Sequence, residues 1–202
     1  MKTPILTAVF AISYLVITVL LCRKVKLNAK ALALGGLTCA LTLVLASIML
    51  PLPTGAAITC GSWIPLMVLA LAYDYRLACI SGWVCGILAM ILIPAWQPVH
   101  WTQIFVEQLV CFSCLGYAGI FGSNKRWKML LGMILAIFIK FWGHVLSGII
   151  FFSQNAWDGW GAWAYSLTYH ISSKIPEGIL TIVILMLLPM ATLRKALNKN
   201  GG

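Results

Sequence analysis

Acidic side chains are almost missing from this chain: four among 202 residues, with only nine per cent of the sequence charged. A soluble domain carries about a quarter charged residues, so an ordinary wetted surface is excluded. Histidines number three, which leaves too few ligands for a metal cluster once the scarcity of carboxylates is added. The sequence holds no H-E-x-x-H, no G-x-S-x-G and no G-x-x-x-x-G-K-[ST], so zincin, serine-hydrolase and P-loop chemistry have no foothold. No 20–50-residue repeat and no low-complexity tract appears.

Apolar residues make up 62% of the sequence, and the mean hydropathy is +0.99. They gather in runs near the ~20 residues that cross a bilayer as helix. The expected fold is therefore an all-α integral membrane protein, with helices at roughly 4–22, 31–50, 56–73, 77–94, 103–122, 128–152 and 175–193. The run 4–22 has only Lys2 as a basic n-region and no small-x-small cleavage site, so it is expected to stay as a span. The span at 56–73 contains Gly61 and Pro65 and should be bent or unwound near its start.

A net charge of +10 could suggest nucleic acid. Eleven of the fourteen Lys and Arg residues instead sit in short connections assigned to one side. The clusters Arg23-Lys24-Val25-Lys26 with Lys30, Lys125-Arg126-Trp127-Lys128 and Arg194-Lys195 all face the cytoplasm by the positive-inside rule. The first two share a side only if an even number of crossings separates them, which retains the span at 56–73. Seven spans with the N-terminus outside and the C-terminus inside follow, in the cell membrane of a prokaryote. No nucleic-acid partner is expected; membrane lipid is.

The seven cysteines are odd in number and scattered through apolar runs. Cys111 and Cys114 form a C-x-x-C with no second pair or histidine beside it, so small apolar packing is the better reading.

Ionisable residues inside spans are costly and suggest function. At 1.5 Å per residue, Glu107 sits about 6 Å below the outer start of its helix, and His144 about 12 Å below the outer end of the sixth. Lys140 lies one turn deeper and could simply pair with Glu107 to lock two helices. Glu177, after Pro176, is placed at the outer start of the last helix, where hydration and the helix N-terminus would stabilise it.

The external connections hold Trp63, Trp96, Trp101, Trp157, Trp160, Trp163, Tyr165 and Tyr169, so six of nine tryptophans lie outside. An interfacial belt alone should be more even. Indole faces stack on flat heterocycles and attract cations, and a carboxylate adds counter-charge. The residues point to an aromatic site for a planar cationic ligand. The connection Ser153–Ser173 is long, and it sets Gly159 and Gly161 beside Trp157, Trp160 and Trp163, which suits a lid.

Over about residues 30–190 the chain resembles the substrate-binding S components of energy-coupling factor (ECF) vitamin transporters, in their thiamine-specific branch. The residues that carry the resemblance are Phe141-Trp142-Gly143-His144-Val145-Leu146-Ser147-Gly148-Ile149-Ile150-Phe151-Phe152, then Trp163 to Tyr169, and Pro176-Glu177. Gly61-Ser62-Trp63-Ile64-Pro65 and Val106-Glu107 before Leu115-Gly116-Tyr117-Ala118-Gly119 support it. The resemblance implies thiamine contacts at Glu107, His144, Tyr165 and His170, with stacking by tryptophans drawn from Trp63, Trp96, Trp101, Trp157 and Trp160. His170 stands where the branch usually has Asn, and Gln108 where a Tyr follows the acid.

The implied architecture is a six-helix bundle at 31–193, an additional N-terminal helix and basic connection at 1–30, and a tail at 194–202. No cofactor is implied. The implied partners are a transmembrane coupling protein and two ATPase subunits of an ECF module. The small-residue face Ala29, Ala33, Gly36, Ala40 would dock on the coupling protein, with toppling of the whole S component as the release step. The same small residues could equally pack inside this chain's own bundle. A different vitamin or a thiamine precursor, a stand-alone secondary transporter and an intramembrane enzyme remain open alternatives from the residues alone.

Overall fold

The computed structural model describes residues 2–198. Its order is α1 (Lys2–Cys22), α2 (Ala29–Ser47), a hairpin of β1 (Met49–Pro51) and β2 (Ala57–Thr59), then α3 (Ile64–Ala72) and α4 (Tyr75–Leu92). There follow α5 (Ile104–Gly119), α6 (Arg126–Phe151), α7 (Ala162–Leu187) and α8 (Met190–Asn198). Five of these, α1, α2, α4, α6 and α7, are long and apolar enough to cross a membrane. That is fewer than the seven expected spans.

The shortfall has local causes. The stretch expected as helix from 56 is instead the second strand of the hairpin, paired Met49 to Thr59 and Pro51 to Ala57. Pro51 and Pro53 cannot donate backbone hydrogen bonds, and the chain turns at Gly55 (φ 82°) and again at Gly61 (φ 78°). Helix begins only at Ile64, with Pro65 in the first turn of α3, leaving nine residues.

α5 is 16 residues long and irregular: Ile104–Val110 is π-helical and Cys114–Gly119 is wound as 3-10 helix. It is the central element, with Val110 to Gly119 all buried and α3, α4 and α6 around it. Close backbone approach makes this possible. A Cβ on Gly132 of α6 would lie 2.1 Å from the Ala118 carbonyl oxygen.

α7 begins at Ala162, thirteen residues before the expected 175, and carries Pro176 within it. The segment Ala162–Ser173, expected as part of a lid, is therefore helix, and the connection from α6 shrinks to about ten residues around Ser153–Asn155. Its residues looked like a loop because they are polar, yet Tyr165, Ser166, Tyr169, His170 and Ser173 fall on one helix face.

The basic clusters gather at one end. Lys30 donates to the Leu197 carbonyl, Arg194 to the Ser123 carbonyl, and the Cys22 thiol to the Arg76 carbonyl at 3.5 Å. Asn28 and Asp74 cap α2 and α4 at this same end, accepting from the Ala31 and Arg76 amides.

α2 has two faces of small residues. Ala31 and Gly35 are buried, and a Cβ on Gly35 would meet the Ser81 hydroxyl at 2.8 Å. Ala29, Ala33, Gly36 and Ala40 are exposed, and a Cβ on Gly36 would meet nothing within 4 Å.

Candidate functional site

α5, α6 and α7 each carry polar residues at helical spacing, and the three stripes converge. On α7 the stripe is Tyr165, Ser166, Tyr169, His170, Ser173, Lys174 and Glu177; on α6 it is Lys140, His144 and Gly148. On α5 and the turn before it, Gln103, Glu107, Gln108 and Phe112 face the same way. Steps of three and four residues bring side chains to one helix face. With Trp63, Trp96 and the β-hairpin they enclose a cavity of about 410 Å³. Small-molecule sites are of this size and combine apolar walls with a few placed polar groups.

Glu107 sits on the π-helical turn of α5, a backbone form frequent at functional sites. Its Oε2 accepts from Gln103 Nε2 at 2.6 Å, and its Oε1 lies 3.8 Å from His144 Nδ1. His144 stacks on His170, centroids 5.5 Å apart and planes 23° from parallel. Gly148 allows α7 to approach here, since a Cβ would lie 2.4 Å from the Ser166 hydroxyl and 3.1 Å from His170 Nε2.

The expected Glu107–Lys140 pair does not form. Lys140 donates to the Cys111 carbonyl at 2.8 Å, and its ammonium stands over the rings of Trp63 (5.2 Å) and Phe112 (5.0 Å). The backbone and two π-faces hold this cation, which leaves the Glu107 carboxylate to Gln103, His144 and the cavity. Glu177 is likewise no interfacial residue. It is 1% exposed, midway along α7, and accepts from the Thr59 hydroxyl.

Of the residues singled out in the sequence, Glu107, His144, Tyr165, His170, Trp63 and Trp96 line the cavity. Trp101, Trp157 and Trp160 do not. Trp101 is 67% exposed. Trp157 stands edge-on behind Tyr165 at 5.1 Å and against Trp160 at 5.0 Å, backing the wall rather than forming it. The two unusual positions both reach the cavity: Gln108 donates to the Trp96 carbonyl at 3.0 Å, and His170 stacks as described.

Lys174, Gln103, Tyr169 and Ser173 also line the cavity and had not been singled out as contacts. Four-residue spacing was the available signal, of Tyr169, Ser173 and Lys174 with Tyr165, His170 and Glu177 and of Gln103 with Glu107. Within the described residues, no group of three or more His, Cys, Asp or Glu side chains could hold a metal.

The family described as thiamine transporter protein (Thia_YuaJ) matches residues 32–197. The thiamine transporter ThiT of Bacillus subtilis (strain 168) is 27% identical over 163 residues, 75% of this chain and 84% of that protein. The thiamine transporter ThiT of Lacticaseibacillus paracasei is 30% identical over 135 residues, 60% and 67% of the two chains. A solved structure of ThiT from Listeria monocytogenes superposes with a TM-score of 0.70 at 23% identity, over 83% of this chain and 96% of that one, a likeness of fold.

Proposed function

The chain belongs to the thiamine transporter protein family, and from that premise we propose that it captures thiamine at the outer membrane face and hands it to an ATP-driven partner. Membership makes it a multi-pass membrane transporter with bacterial relatives, and not an enzyme. The observation that carries the capture mechanism is the Glu107 carboxylate. It faces a cavity walled by Trp63 and Trp96, with no lysine or arginine paired to it among the described residues. Thiamine is a cation built of two flat rings. A carboxylate supplies the counter-charge, the His144–His170 stack and the indoles supply π-faces, and Tyr165 closes the side.

The same reading extends to topology. Seven crossings with the N-terminus outside and the C-terminus inside suit the alternation of connections, with the hairpin plus α3 and the short α5 counted as crossings. The gathering of the three basic clusters at one end supports a cytoplasmic assignment for that end. Residues 1–30, ahead of the matched stretch, are then an addition to an S component at 31–193, followed by the tail from 194. The site belongs to the cell membrane.

Having no P-loop motif, the chain needs partners to couple release to ATP. We assign these as the transmembrane coupling protein and two ATPase subunits of an ECF module. The outward, unfilled face Ala29, Ala33, Gly36, Ala40 supports docking there, because small residues let helix backbones approach closely. Labelled-thiamine uptake in cells carrying the module tests this. Ala33→Trp and Gly36→Trp should abolish uptake while the purified variants still bind thiamine as the wild type does. Uptake at the wild-type rate in both would remove the docking assignment.

A further inference from the structure

The capture mechanism uses one of two carboxylates in the cavity. Glu177 is the other, and its environment is unusual for a buried acid. One oxygen accepts from Thr59, whose hydroxyl is also bonded to Ser62 at 2.6 Å; the second oxygen, Oε2, is buried with no partner among the described residues. Leaving a buried charged group half satisfied is expensive. Among the described residues, no cation comes within 4 Å of it. Lys140 is engaged by the Cys111 carbonyl and two rings. Lys174, one turn earlier on α7, lines the cavity without coming within 4 Å of the carboxylate.

The position along α7 adds a length. His170 stacks on His144, which faces Glu107, so His170 marks the depth of the first anchor. Glu177 is seven residues further, about 10 Å along the helix axis. One cavity that reaches from Glu107 past His170 to Glu177 suits a ligand of two linked heteroaromatic rings with a polar group at each end.

We propose that Glu177, fixed by Thr59 and Ser62, is a second ligand anchor at the floor of the cavity, accepting a hydrogen bond from an N–H or O–H donor on the end of the ligand that Glu107 does not hold. The inference rests on the thiamine-capture reading and adds the recognition of a second ligand end. Thiamine offers two such donors, the pyrimidine amino group and the side-chain hydroxyl.

The test measures dissociation constants of the purified chain for three compounds. They are thiamine, the analogue with an oxo group in place of the amino group, and the analogue with ethyl in place of hydroxyethyl. Glu177→Gln keeps the shape and removes the charge. It should weaken thiamine binding about tenfold, the scale of one charged hydrogen bond. For the analogue that lacks the donor Glu177 receives, the loss should shrink to within about twofold, as the logic of a double-mutant cycle requires. Thr59→Val leaves the acid in place but frees it. It should show the same analogue preference with a smaller loss, which keeps the test sound if Glu177→Gln does not fold. An equal loss for all three compounds, or none for any, would overturn the proposal. So would recovery of thiamine binding when Lys174→Met is added to Glu177→Gln, since Glu177 would then be only the counter-charge of Lys174. Failure of the wild-type chain to bind thiamine would instead sink the capture reading beneath it.

Discussion

α1 and α2 on one side, and α5 and α7 on the other, solve the problem of lipid in different ways. α1 is a regular helix of 21 residues. Thr7, Ala11, Tyr14, Thr18 and Cys22 face the bundle, while Ile5, Val9, Ile12, Val16 and Leu20 face outward. Its polar groups are spent on packing: Tyr14 bonds the Ser113 hydroxyl at 2.9 Å and Thr18 that of Tyr117 at 2.7 Å. α1 contributes nothing to the cavity wall, and α2 contributes only Thr42. α5 departs from α-helical winding and α7 carries Pro176 within it, and the two hold charged and aromatic residues of the site. A helix satisfies its own backbone in lipid. Irregular backbone and intramembrane charge must be held by neighbours, and the fold places both where they surround one cavity.

The largest expected effect sharpens this contrast through two glycines. Gly132→Val drives a side chain into the Ala118 carbonyl of α5, where no rotamer relieves the overlap, and should cost about 3 kcal/mol or more. Gly36→Val, on the open face of α2, should stay within about 0.5 kcal/mol. Thermal unfolding in detergent compares the two, and equal losses would mean that α5 is not tightly held.

Glu107→Gln should lower thiamine affinity by about 1.5–3 kcal/mol, the worth of a charged hydrogen bond, with the fold intact by the same thermal assay. Unchanged affinity would move the main anchor to another group. At the small end, Trp101→Ala removes an exposed indole that touches Phe105 and His100 outside the cavity. It should shift affinity by less than about 0.5 kcal/mol. A tenfold loss would draw the mouth into the binding surface.

Legibility in the sequence followed the same division. α1, α2, α4 and α6 were readable within a few residues from apolar runs and basic connections, because lipid leaves composition few alternatives. Glu107 and His144 stood out as ionisable groups in apolar surroundings. The start of α7 did not. Tyr165 to Lys174 is polar enough to imitate a connection, and Pro176 resembles a helix start, so length and hydropathy both misplaced it. Its three-to-four-residue polar spacing was the better signal, for a helix whose buried face meets a polar cavity rather than an apolar core. The hairpin before α3 was half visible in Gly61 and Pro65. Strand pairing between Met49 and Thr59 depends on contacts that no local pattern records.

The central claim, that this chain captures thiamine in an aromatic cavity anchored by a carboxylate, is tested most directly by titrating the purified protein with thiamine while following tryptophan fluorescence. Trp63, buried and lining the cavity, and Trp96 at its wall are the reporters. The account predicts saturable quenching at one thiamine per chain, with a curve displaced to higher concentration in Glu107→Gln. A folded wild-type protein whose fluorescence and heat of mixing are both indifferent to thiamine would contradict it.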